Sequence, residues 1–535
     1  MTPQRWIIKG KLKVISPLSI RTGFDETDPP APQKREAASV EPNAPPDALP
    51  EGQFAPVVGI EMDHEGRPYV PATALKGLLR ARAAASLSVT EKEALFRLLG
   101  DQPEPGRDTN DTAASIGFGG HAEFRNSMLN HDPNNGYRPA IRGRTALHEG
   151  SLTAEDGQLR QDRIVAPGAT FSVKVVFCRA TEAEVALFLG LLALIDGNDA
   201  SSALGSGTSQ GDGRVEWLAD DIWRFGQAEA KEWQFRGANK TWEDFATKAK
   251  VVPVKVTRLP DQRVTLLFTL AIEGHFLVGA AEVVKNAEGT SVLRKRPLRL
   301  HGRDDTTARL PGSGLDGALR AQAKRIYRTI SQDFSRWGDD DTELPDSFAS
   351  LFGSARAGSL LECEEFKCSP CTLVEQEFVA IDRLSGGGAD ERKFSMRAFE
   401  SPRLEGRIHL VLGRRTETAL TGKRSMNAEC SVTPAAIGLL ALTLKDLGCG
   451  DIPLGAATRK GYGGVRELVF GNGGWMDLLK HLGDEVLRLS ETVTSLKPFR
   501  ACLTGRQVIE TAVGLLHEEA RTWKAGRPIP EEAQA

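Results

Sequence analysis

The sequence predicts an α+β protein in which one domain is present twice. The main observation is a glycine-rich segment, Leu204–Val215 (LGSGTSQGDGRV), which returns in similar form at Leu454–Val465 (LGAATRKGYGGV). Both copies keep Leu-Gly, Thr and Gly-x-Gly in the same places, and each lies between a helix-like apolar run and a strand-like segment. A duplicated domain that ends in a glycine-rich loop is the simplest explanation.

Three further pairs of segments support the duplication. They occur in the same order in both halves and at a nearly constant offset, which chance does not readily produce. The pairs are Val70–Ala81 with Leu310–Ala321, Leu98–Gly100 with Leu351–Gly353, and Ala140–Arg142 with Ala380–Asp382.

The first half predicts a strand, a helix, several strands, a helix and a final strand. Trp6–Ile20 alternates apolar and polar residues as a half-buried strand does, and Thr73 is a candidate N-cap for the first helix. The later elements are a strand region at Ala113–Leu129, a hairpin at Tyr137–Asp156, a strand at Arg163–Phe177 and a helix with the capping box Thr181–Glu184. This order predicts a ferredoxin-like α+β sheet.

The second half predicts the same order of elements. Arg263–Ile272 is its opening strand, Ser313 is the candidate cap of its first helix, and Thr433-Pro434 begins the helix before the second glycine-rich loop. Two helices follow, at Trp475–Leu489 and Val508–Trp523.

These patterns predict four segments. Residues 1–217 form the first domain, with a proline-rich mobile loop at 25–56; 218–262 form a connector, 263–470 the second domain, and 471–535 a helical C-terminal extension. We expect three tryptophans to pack the connector onto a domain: Trp223, Trp233 and Trp242.

Composition restricts the classes of function. The net charge is −3, so a nucleic-acid site must be a local groove and not a property of the whole surface. The first residues lack the apolar core of a signal peptide, and no apolar run approaches the ~18 residues of a membrane span. We therefore expect a cytoplasmic protein without a membrane partner.

The seven cysteines do not predict a disulfide framework in so long a chain. Cys363, Cys368 and Cys371 form one cluster that could bind zinc, with His409 or Cys430 as a distant fourth ligand. The alternative is a set of reduced cysteines beside the Ser369-Pro370 turn.

The glycine-rich loops do not match the nucleotide-binding loops they superficially resemble. A dinucleotide fingerprint needs a strand before the glycines and a helix after them, and a triphosphate-binding loop ends in Gly-Lys-Ser/Thr. Neither condition holds here. The loops are instead suited to close approach by a phosphodiester backbone, with a plain tight turn as the alternative.

Cationic and polar residues near the loops suit a polyanion. Helix N-termini after Val70-Pro71 and Leu310-Pro311 favour phosphate, and Arg294–Arg299 is a basic run. The candidate RNA-binding residues are Gly205, Gly207, Thr208, Ser209, Gln210 and Gly211 in the first loop, Gly455, Thr458, Arg459, Lys460, Gly461 and Tyr462 in the second, and Thr73, Lys76, Arg80, Ser313 and Arg320 at the helix starts.

Taken together, these motifs resemble the RAMP superfamily backbone subunits of type III CRISPR effector complexes. The resemblance covers about residues 6–217 and 263–470, and the double unit looks like the fused backbone subunit of some type III-D systems. It implies two tandem domains of the RNA-recognition-motif variant of the fold, with thumb hairpins after Ala140 and Ala380. The implied partners are guide CRISPR RNA, complementary target RNA, and other backbone and small subunits.

The resemblance also implies a position for catalysis. Active relatives use an aspartate in the loop after the first strand, just before a Pro-Val strand, to promote cleavage of target RNA with a divalent cation such as Mg²⁺. The candidates here are Asp25, which we favour, Asp28, Asp47 and Glu51. The second copy reads Arg294–Pro297 at this place, without a carboxylate, and is expected to be a scaffold.

Two alternatives remain open at this point. The chain could be a structural RNA-binding subunit without nuclease activity. It could also be an endoribonuclease that processes guide RNA with a histidine base, for which His64, His121 and His148 are available.

Overall fold

The computed structural model describes most of the chain, and the statements below concern only the described residues. These are 4–25, 57–87, 89–100, 119–130, 140–147, 154–197, 203–236, 239–256, 263–285, 291–297, 306–333, 344–354, 358–414 and 430–525. Most of the predicted proline-rich loop, including Asp28, Asp47 and Glu51, lies outside them, as does His148.

The chain divides into two compact units. The first comprises Met1–Thr208, Asp212–Leu259 and Leu420–Gly422, and the second comprises Ser209–Gly211, Pro260–Ala419 and Lys423–Ala535. Both mix helices with mainly antiparallel sheets, so the chain has the predicted α+β class. In the described part of the chain, the helices are too short or too polar to cross a membrane.

The first unit contains eleven strands and four α-helices among the residues that are described. The strands are β1 (Gln4–Val14), β2 (Arg21–Asp25), β3 (Val57–Ile60), β4 (Tyr69–Val70), β5 (Ala122–Phe124), β6 (Ser127–Leu129), β7 (Ala140–Leu147), β8 (Ala154–Ile164), β9 (Thr170–Ala180), β10 (Val215–Phe225) and β11 (Thr247–Lys248). The helices are α1 (Ala72–Ser86), α2 (Val89–Leu99), α3 (Glu182–Leu192) and α4 (Gln227–Arg236), with 3₁₀ turns at Thr208–Gln210 and Trp242–Phe245.

The main sheet of the first unit has the strand order β11-β10-β1-β9-β6-β4, with β5 also paired to β9. The elements β1, α1, β5 with β6, β9, α3 and β10 thus form the β-α-β-β-α-β arrangement of a ferredoxin-like domain. One face of β1 supplies buried Trp6, Ile8, Leu12 and Val14 to a core that includes Phe188 of α3. This burial orients the sheet relative to its helices.

The second unit has a similar inventory. Its strands are β12 (Arg263–Glu273), β13 (His275–Phe276), β14 (Gly279–Lys285), β15 (Ser291–Pro297), β16 (Ala308–Leu310), β17 (Leu361–Cys363), β18 (Phe366–Cys368), β19 (Leu373–Ile381), β20 (Gly388–Glu400), β21 (Arg403–Val411), β22 (Gly413–Arg414), β23 (Cys430–Ser431) and β24 (Gly464–Val469). Its helices are α5 (Gly312–Ser331), α6 (Asp346–Phe352), α7 (Pro434–Cys449), α8 (Trp475–Ser490) and α9 (Gly505–Ala525), with 3₁₀ turns at Thr458–Lys460 and Thr494–Ala501.

The main sheet of the second unit has the order β16-β18-β21-β12-β24, with β17 also paired to β21. β12 therefore lies between the last strand, β24, and β21, just as β1 lies between β10 and β9. The short β22–β23 pair is separate from this sheet.

Each unit also carries a second sheet built from two insertions. In the first unit its order is β2-β3-β8-β7, and in the second it is β14-β15-β20, with β19 and β13 also paired to β20. A parallel pair joins the two insertions in both cases, β3 with β8 and β15 with β20. The shared order extends the internal repeat to segments in which the sequences show little similarity.

The C-terminal helices belong to the core of the second unit. Leu482 and Val486 of α8 and Ala512 and Leu516 of α9 are fully buried in one cluster with Leu440 of α7. Both helices were predicted from their apolar periodicity, and packing explains that periodicity.

Two predicted helix starts are confirmed and two are wrong. Thr181 forms the predicted capping box with Glu184, and Thr433 caps α7 with Pro434 in its first turn. Thr73 and Ser313 are not N-caps, because Pro71 and Pro311 occupy that position without a side-chain cap bond. The amide of Ala72 instead donates to Oδ1 of Asn126 at 3.0 Å, a distant partner that local sequence does not reveal.

Two strand predictions also need correction. The single strand at Arg163–Phe177 is in fact the end of β8 and the start of β9, separated by a turn in which Gly168 has φ +92°. The sequence similarity between Ala140–Arg142 and Ala380–Asp382 does not correspond to equivalent positions in the two hairpins. Ala140 pairs with Ile164 at the base of its hairpin, whereas Ile381 pairs with Gly388 beside the turn of the other.

The tryptophan prediction holds for Trp242 and Trp233, whereas Trp223 lies on β10 of the main sheet itself. Trp223 and Trp242 pack with Phe245 against a small buried cluster of the first unit that contains Ile7 and Phe225. Trp233 packs edge-on to Phe225 at 6.2 Å.

We expect Gly438→Val to destabilise the second unit, because any Cβ at this position of α7 would overlap the Ala512 carbonyl of α9. The cost of such overpacking is about 1–3 kcal/mol, measured as a lower midpoint of thermal unfolding. Gly514→Ala in α9, where a Cβ meets nothing within 4 Å, is the control and should raise the midpoint. Equal midpoints for both variants would contradict the close packing of α7 on α9.

Candidate nucleic-acid interface

The two glycine-rich loops have the same backbone hydrogen bonds. In the first loop the Leu204 amide donates to the Gly213 carbonyl at 2.8 Å, and in the second the Leu454 amide donates to the Gly463 carbonyl at 2.9 Å. Each loop is then bonded to the segment that follows the first strand of its unit. The bonds run from Gly213 to Pro17 (2.7 Å), Ser206 to Ser19 (2.8 Å), Gly463 to His275 (2.8 Å) and Ala456 to Leu277 (2.6 Å).

Positive φ angles explain why glycine recurs in these loops. They occur at Gly205, Gly207, Gly211 and Gly213 in the first loop and at Gly455, Ala457, Gly461 and Gly463 in the second. A Cβ on Gly213 or Gly463 would also overlap the carbonyl oxygen of Leu204 or Leu454. The loops therefore need glycine for their own shape, which leaves exposed backbone at Gly205, Gly455 and Gly461.

Two buried carboxylates surround the arginines of the inserted hairpin, and one of them, Asp212, belongs to the first loop. Asp212 of the loop accepts from Nη1 of Arg142 at 2.7 Å and from Nη2 of Arg144 at 2.5 Å, both on β7. Asp162 on β8 lies 3.1 Å from Nη2 of Arg21 and 3.6 Å from Nε of Arg144. Burial lowers the pKa of Arg144, and the nearby Asp212 carboxylate counteracts that shift.

An aromatic cluster has the same role in the second loop. Tyr462 occupies the position of Asp212, is buried, and donates its hydroxyl hydrogen to Oε1 of Gln376 on β19. Its ring stacks on His275 with centroids 5.3 Å apart. The Lys460 ammonium lies 4.0 Å and 4.8 Å from the ring centroids of Phe394 and Phe378. The hairpin is thus attached through cation–π and ring contacts instead of carboxylates.

The candidate arginines of α1 and α5 have a structural role in both units. Arg80 of α1 donates to the carbonyl oxygens of Leu99, at 2.9 Å, and Gly100 at the end of α2. Arg320 of α5 donates to the carbonyl oxygen of Phe352 at 2.9 Å, at the end of α6. Each guanidinium therefore satisfies the C-terminal carbonyls of the next helix. Contact of Arg80 or Arg320 with RNA stays a prediction.

Helices α1 and α5 carry side chains of opposite charge type one turn before Arg80 and Arg320. α1 carries Lys76, whose pKa is lowered by burial and by Arg80. The corresponding residue of α5 is Asp316, whose pKa burial raises to about 6 against the opposing effect of Arg320. An anion is thus favoured at the start of α1 and disfavoured at the start of α5 once Asp316 is ionised.

The other candidate RNA-binding positions lie on or beside the loops. Thr208, Ser209 and Gln210 form the 3₁₀ turn of the first loop, and Thr458, Arg459 and Lys460 that of the second. Arg459, Lys460 and Gly461 are exposed. Thr73 and Ser313 lie in the first turns of α1 and α5. Their contact with RNA stays a prediction.

Of the catalytic candidates, only Asp25 is placed. It is the last residue of β2, paired with Val58 of β3, directly before the segment that contains Asp28, Asp47 and Glu51. The basic run of the second unit proves to be strand β15 up to Pro297, in a hairpin with β14, and not a loop.

The cysteines and histidines show no metal centre in the described part of the chain. No group of three or more His, Cys, Asp or Glu side chains there is placed to hold a metal ion. Cys363 is buried in the core of the second unit, and burial raises the pKa of the Cys371 thiol to about 12. Zinc at Cys363, Cys368 and Cys371 thus stays a prediction without geometric support.

Sequence reasoning missed Arg142, Arg144 and Asp212, and it named Lys460 and Tyr462 only as RNA-binding candidates. Arg142 and Arg144 alternate on one strand, and Asp212 and Tyr462 fill the variable position of each Gly-x-Gly. Only the fold brings these distant positions together, so the pattern alone could not identify the contacts.

Asp212→Ala should loosen the first loop much more than Tyr462→Phe loosens the second. Removing Asp212 leaves the buried Arg142 guanidinium and the partly buried Arg144 guanidinium without their shared carboxylate, which costs about 3–5 kcal/mol. Tyr462→Phe loses one hydrogen bond, worth about 1 kcal/mol. Hydrogen exchange of the peptides that cover each loop measures both effects, and similar exchange in the two variants would contradict the ionic attachment.

Asp316→Asn should raise the thermal stability of the second unit at pH 7.5 but not at pH 4. The pKa of Asp316 is about 6 in the folded chain against 3.8 for the free side chain, so the folded state holds this proton more tightly. Ionisation therefore costs stability as pH rises between about 4 and 6, by about 3 kcal/mol once complete. Equal effects of the substitution on the unfolding midpoint at both pH values would contradict this.

A comparison with known protein families supports the repeated architecture. The family model described as the RAMP superfamily matches residues 11–216 and 295–466, which include both glycine-rich loops. A comparison with curated proteins found no match. Because the family model covers more than half of the chain in two separate regions, this protein belongs to the RAMP superfamily.

Proposed function

We propose that this chain is a guide-RNA-binding backbone subunit of a type III CRISPR effector complex, with two RAMP units fused in one polypeptide. Membership of the RAMP superfamily supports a CRISPR-associated RNA-binding role. The observation that carries the proposal is the repeated glycine-rich loop, held by the same backbone bonds in both units. Two equivalent loops suit a ligand that repeats along its length, as a nucleic acid does.

The chemistry around the loops supports recognition of the RNA backbone and not of its bases. Exposed loop backbone allows close approach, and the cations near it, Lys76, Arg459 and Lys460, suit phosphate. In this proposal the sequence specificity comes from pairing between guide and target. The hairpins β7–β8 and β19–β20 take the place of the thumbs.

We assign target cleavage to the first unit through Asp25. This residue ends β2 beside β3, at the base of the acidic segment that the resemblance associates with cleavage. Asp28 and Glu51 are the further candidates, and a divalent cation such as Mg²⁺ is the expected cofactor. The second unit serves as a scaffold.

The histidine-based alternative named His64 and His121 among the described residues, and both are exposed. The Nε2 atom of His64 lies 3.7 Å from Oε1 of Glu65, its neighbour in sequence, and this exposed pair does not form a built acid–base site. A structural subunit without nuclease activity is the remaining alternative.

Asp25→Ala should reduce cleavage of complementary RNA by at least about 100-fold in the reconstituted complex with Mg²⁺, since a lost general base or metal ligand has an effect of this size. Binding of target should not change. Asp451→Ala, at an exposed carboxylate of the second unit, is the control and should cleave at the normal rate.

The outcomes separate the hypotheses. Normal cleavage by Asp25→Ala but loss in Asp28→Ala or Glu51→Ala would move the catalytic role within the same segment. Absence of cleavage in the unmodified complex, with target RNA bound, would favour the structural subunit. A chain that binds no RNA even in the complex would end the proposal.

A further inference from the structure

The face of the first unit's main sheet opposite α1 and α3 carries a row of lysines, beyond the end of the sheet where the connector covers Ile7. Lys9, Lys11 and Lys13 alternate along β1 with the buried residues of its other face, and we refer to these three residues as the lysine strip. Lys9 and Lys11 are exposed, and Lys13 is partly exposed. Alternate residues of a strand lie about 6.6 Å apart, so the strip presents regularly spaced positive charge.

The fold does not require lysine at these positions. Val14 pairs with Val215 and Ile272 pairs with Val465, and this shared register aligns β1 with β12. The residues of β12 that match the lysine strip are Leu267, Thr269 and Ala271. The second unit therefore builds the same central strand without any of the three charges.

The charges of the lysine strip are only partly neutralised by neighbours. Lys13 lies 3.6 Å from Glu216. Lys9 is directly opposite Lys174 of β9, which is itself paired with Glu243. Like charges placed opposite each other weaken a sheet. In the described part of the chain, neither Lys9 nor Lys11 forms an ion pair, so no salt bridge offsets this repulsion.

The groups beside the strip are suited to a ribose-phosphate chain. Lys9 and Lys248 both lie over the Trp223 ring, at 5.6 Å and 5.3 Å from its centroid, which holds their ammonium groups on this face. Ser172 is opposite Lys11 and is hydrogen-bonded to Asn130, so hydroxyl and amide groups adjoin the ammonium groups. These are the residue types that contact phosphate and sugar.

The strip leads towards the first glycine-rich loop. Lys13 is two residues from Ile15, whose amide donates to the carbonyl oxygen of Arg214 at 2.8 Å, where the loop meets β10. A chain that leaves the loop can thus continue over the sheet without a break in favourable contacts. An acidic protein bound as a ligand would not require a continuous path from the loop or a regular spacing of the lysines.

We propose that the lysine strip binds the backbone of single-stranded RNA and extends its path from the first glycine-rich loop across the open sheet face. This inference rests on the proposed RNA-binding function and adds a surface that only the first unit has. The two units would then contribute unequally to RNA affinity, despite their equivalent loops.

The test replaces Lys9 and Lys11 by their counterparts in the second unit, as Lys9→Leu/Lys11→Thr in the full chain. Binding of a fluorescent oligouridylate is measured between about 50 and 200 mM salt. Loss of two phosphate contacts should weaken binding about tenfold at low salt and reduce the slope of log K against log salt by about 1.4. The control, Lys445→Leu/Lys480→Thr, removes two exposed lysines from α7 and α8 and should leave the slope unchanged.

The outcomes distinguish this inference from the proposed function. If the unmodified chain binds the oligouridylate and the strip variant shows the same affinity and slope, the inference is overturned and the proposed function stands. If the variant loses binding to polyglutamate but not to RNA, the strip is a site for an acidic protein, which also overturns it. If the unmodified chain binds no RNA either alone or in the reconstituted complex, the proposed function fails first. Thermal unfolding of both variants checks that each is folded.

Protection of the lysines from acetylation gives a second, direct test of RNA contact at the lysine strip. RNA should shield the Lys9 and Lys11 amines of the unmodified chain from acetylation, while Lys445 and Lys480 stay reactive. Full reactivity of Lys9 and Lys11 at saturating RNA would contradict the proposed contact.

Discussion

The hydrogen bonds between each glycine-rich loop and the segment after the first strand are the constraint on which the site depends. They join residues that are far apart in sequence, such as Gly213 with Pro17 and Gly463 with His275. Because these are backbone bonds, they fix the path of the loop without dictating its side chains. The last strand of each sheet starts directly after this junction, so sheet register and loop position are set together.

The side chains around this constant framework differ between the units. The first loop meets its hairpin through Asp212 and two buried arginines, and the second through Tyr462 and a ring cluster. A carboxylate–guanidinium pair in a buried site needs both partners present, whereas ring contacts tolerate the exchange of one ring for another. The duplication has thus kept the geometry and changed the forces that maintain it.

The sequence is sufficient to predict those parts of the fold that local forces determine. The helices at Thr181, Thr433 and Trp475 have caps or apolar periodicity that act within one or two turns. Both glycine-rich loops were found because positive φ restricts residue type locally. Pro71 was missed as a helix cap because Asn126, the partner of the next residue, is remote in sequence. The same limit hid the Asp212 cluster, since only the fold brings its members together.

The left-handed backbone of Ala457 has a broader consequence. It stands where the first loop has Gly207, and its φ of +61° normally disfavours a residue with a side chain. The loop keeps its path regardless, so its conformation is imposed from outside and not by local residue preference. A loop held in this way can keep its shape while its residues change. A search for glycine spacing alone would therefore miss copies of the loop that have diverged further. By the same logic, loop side chains could be exchanged between the two units to change the binding properties of one loop at a time.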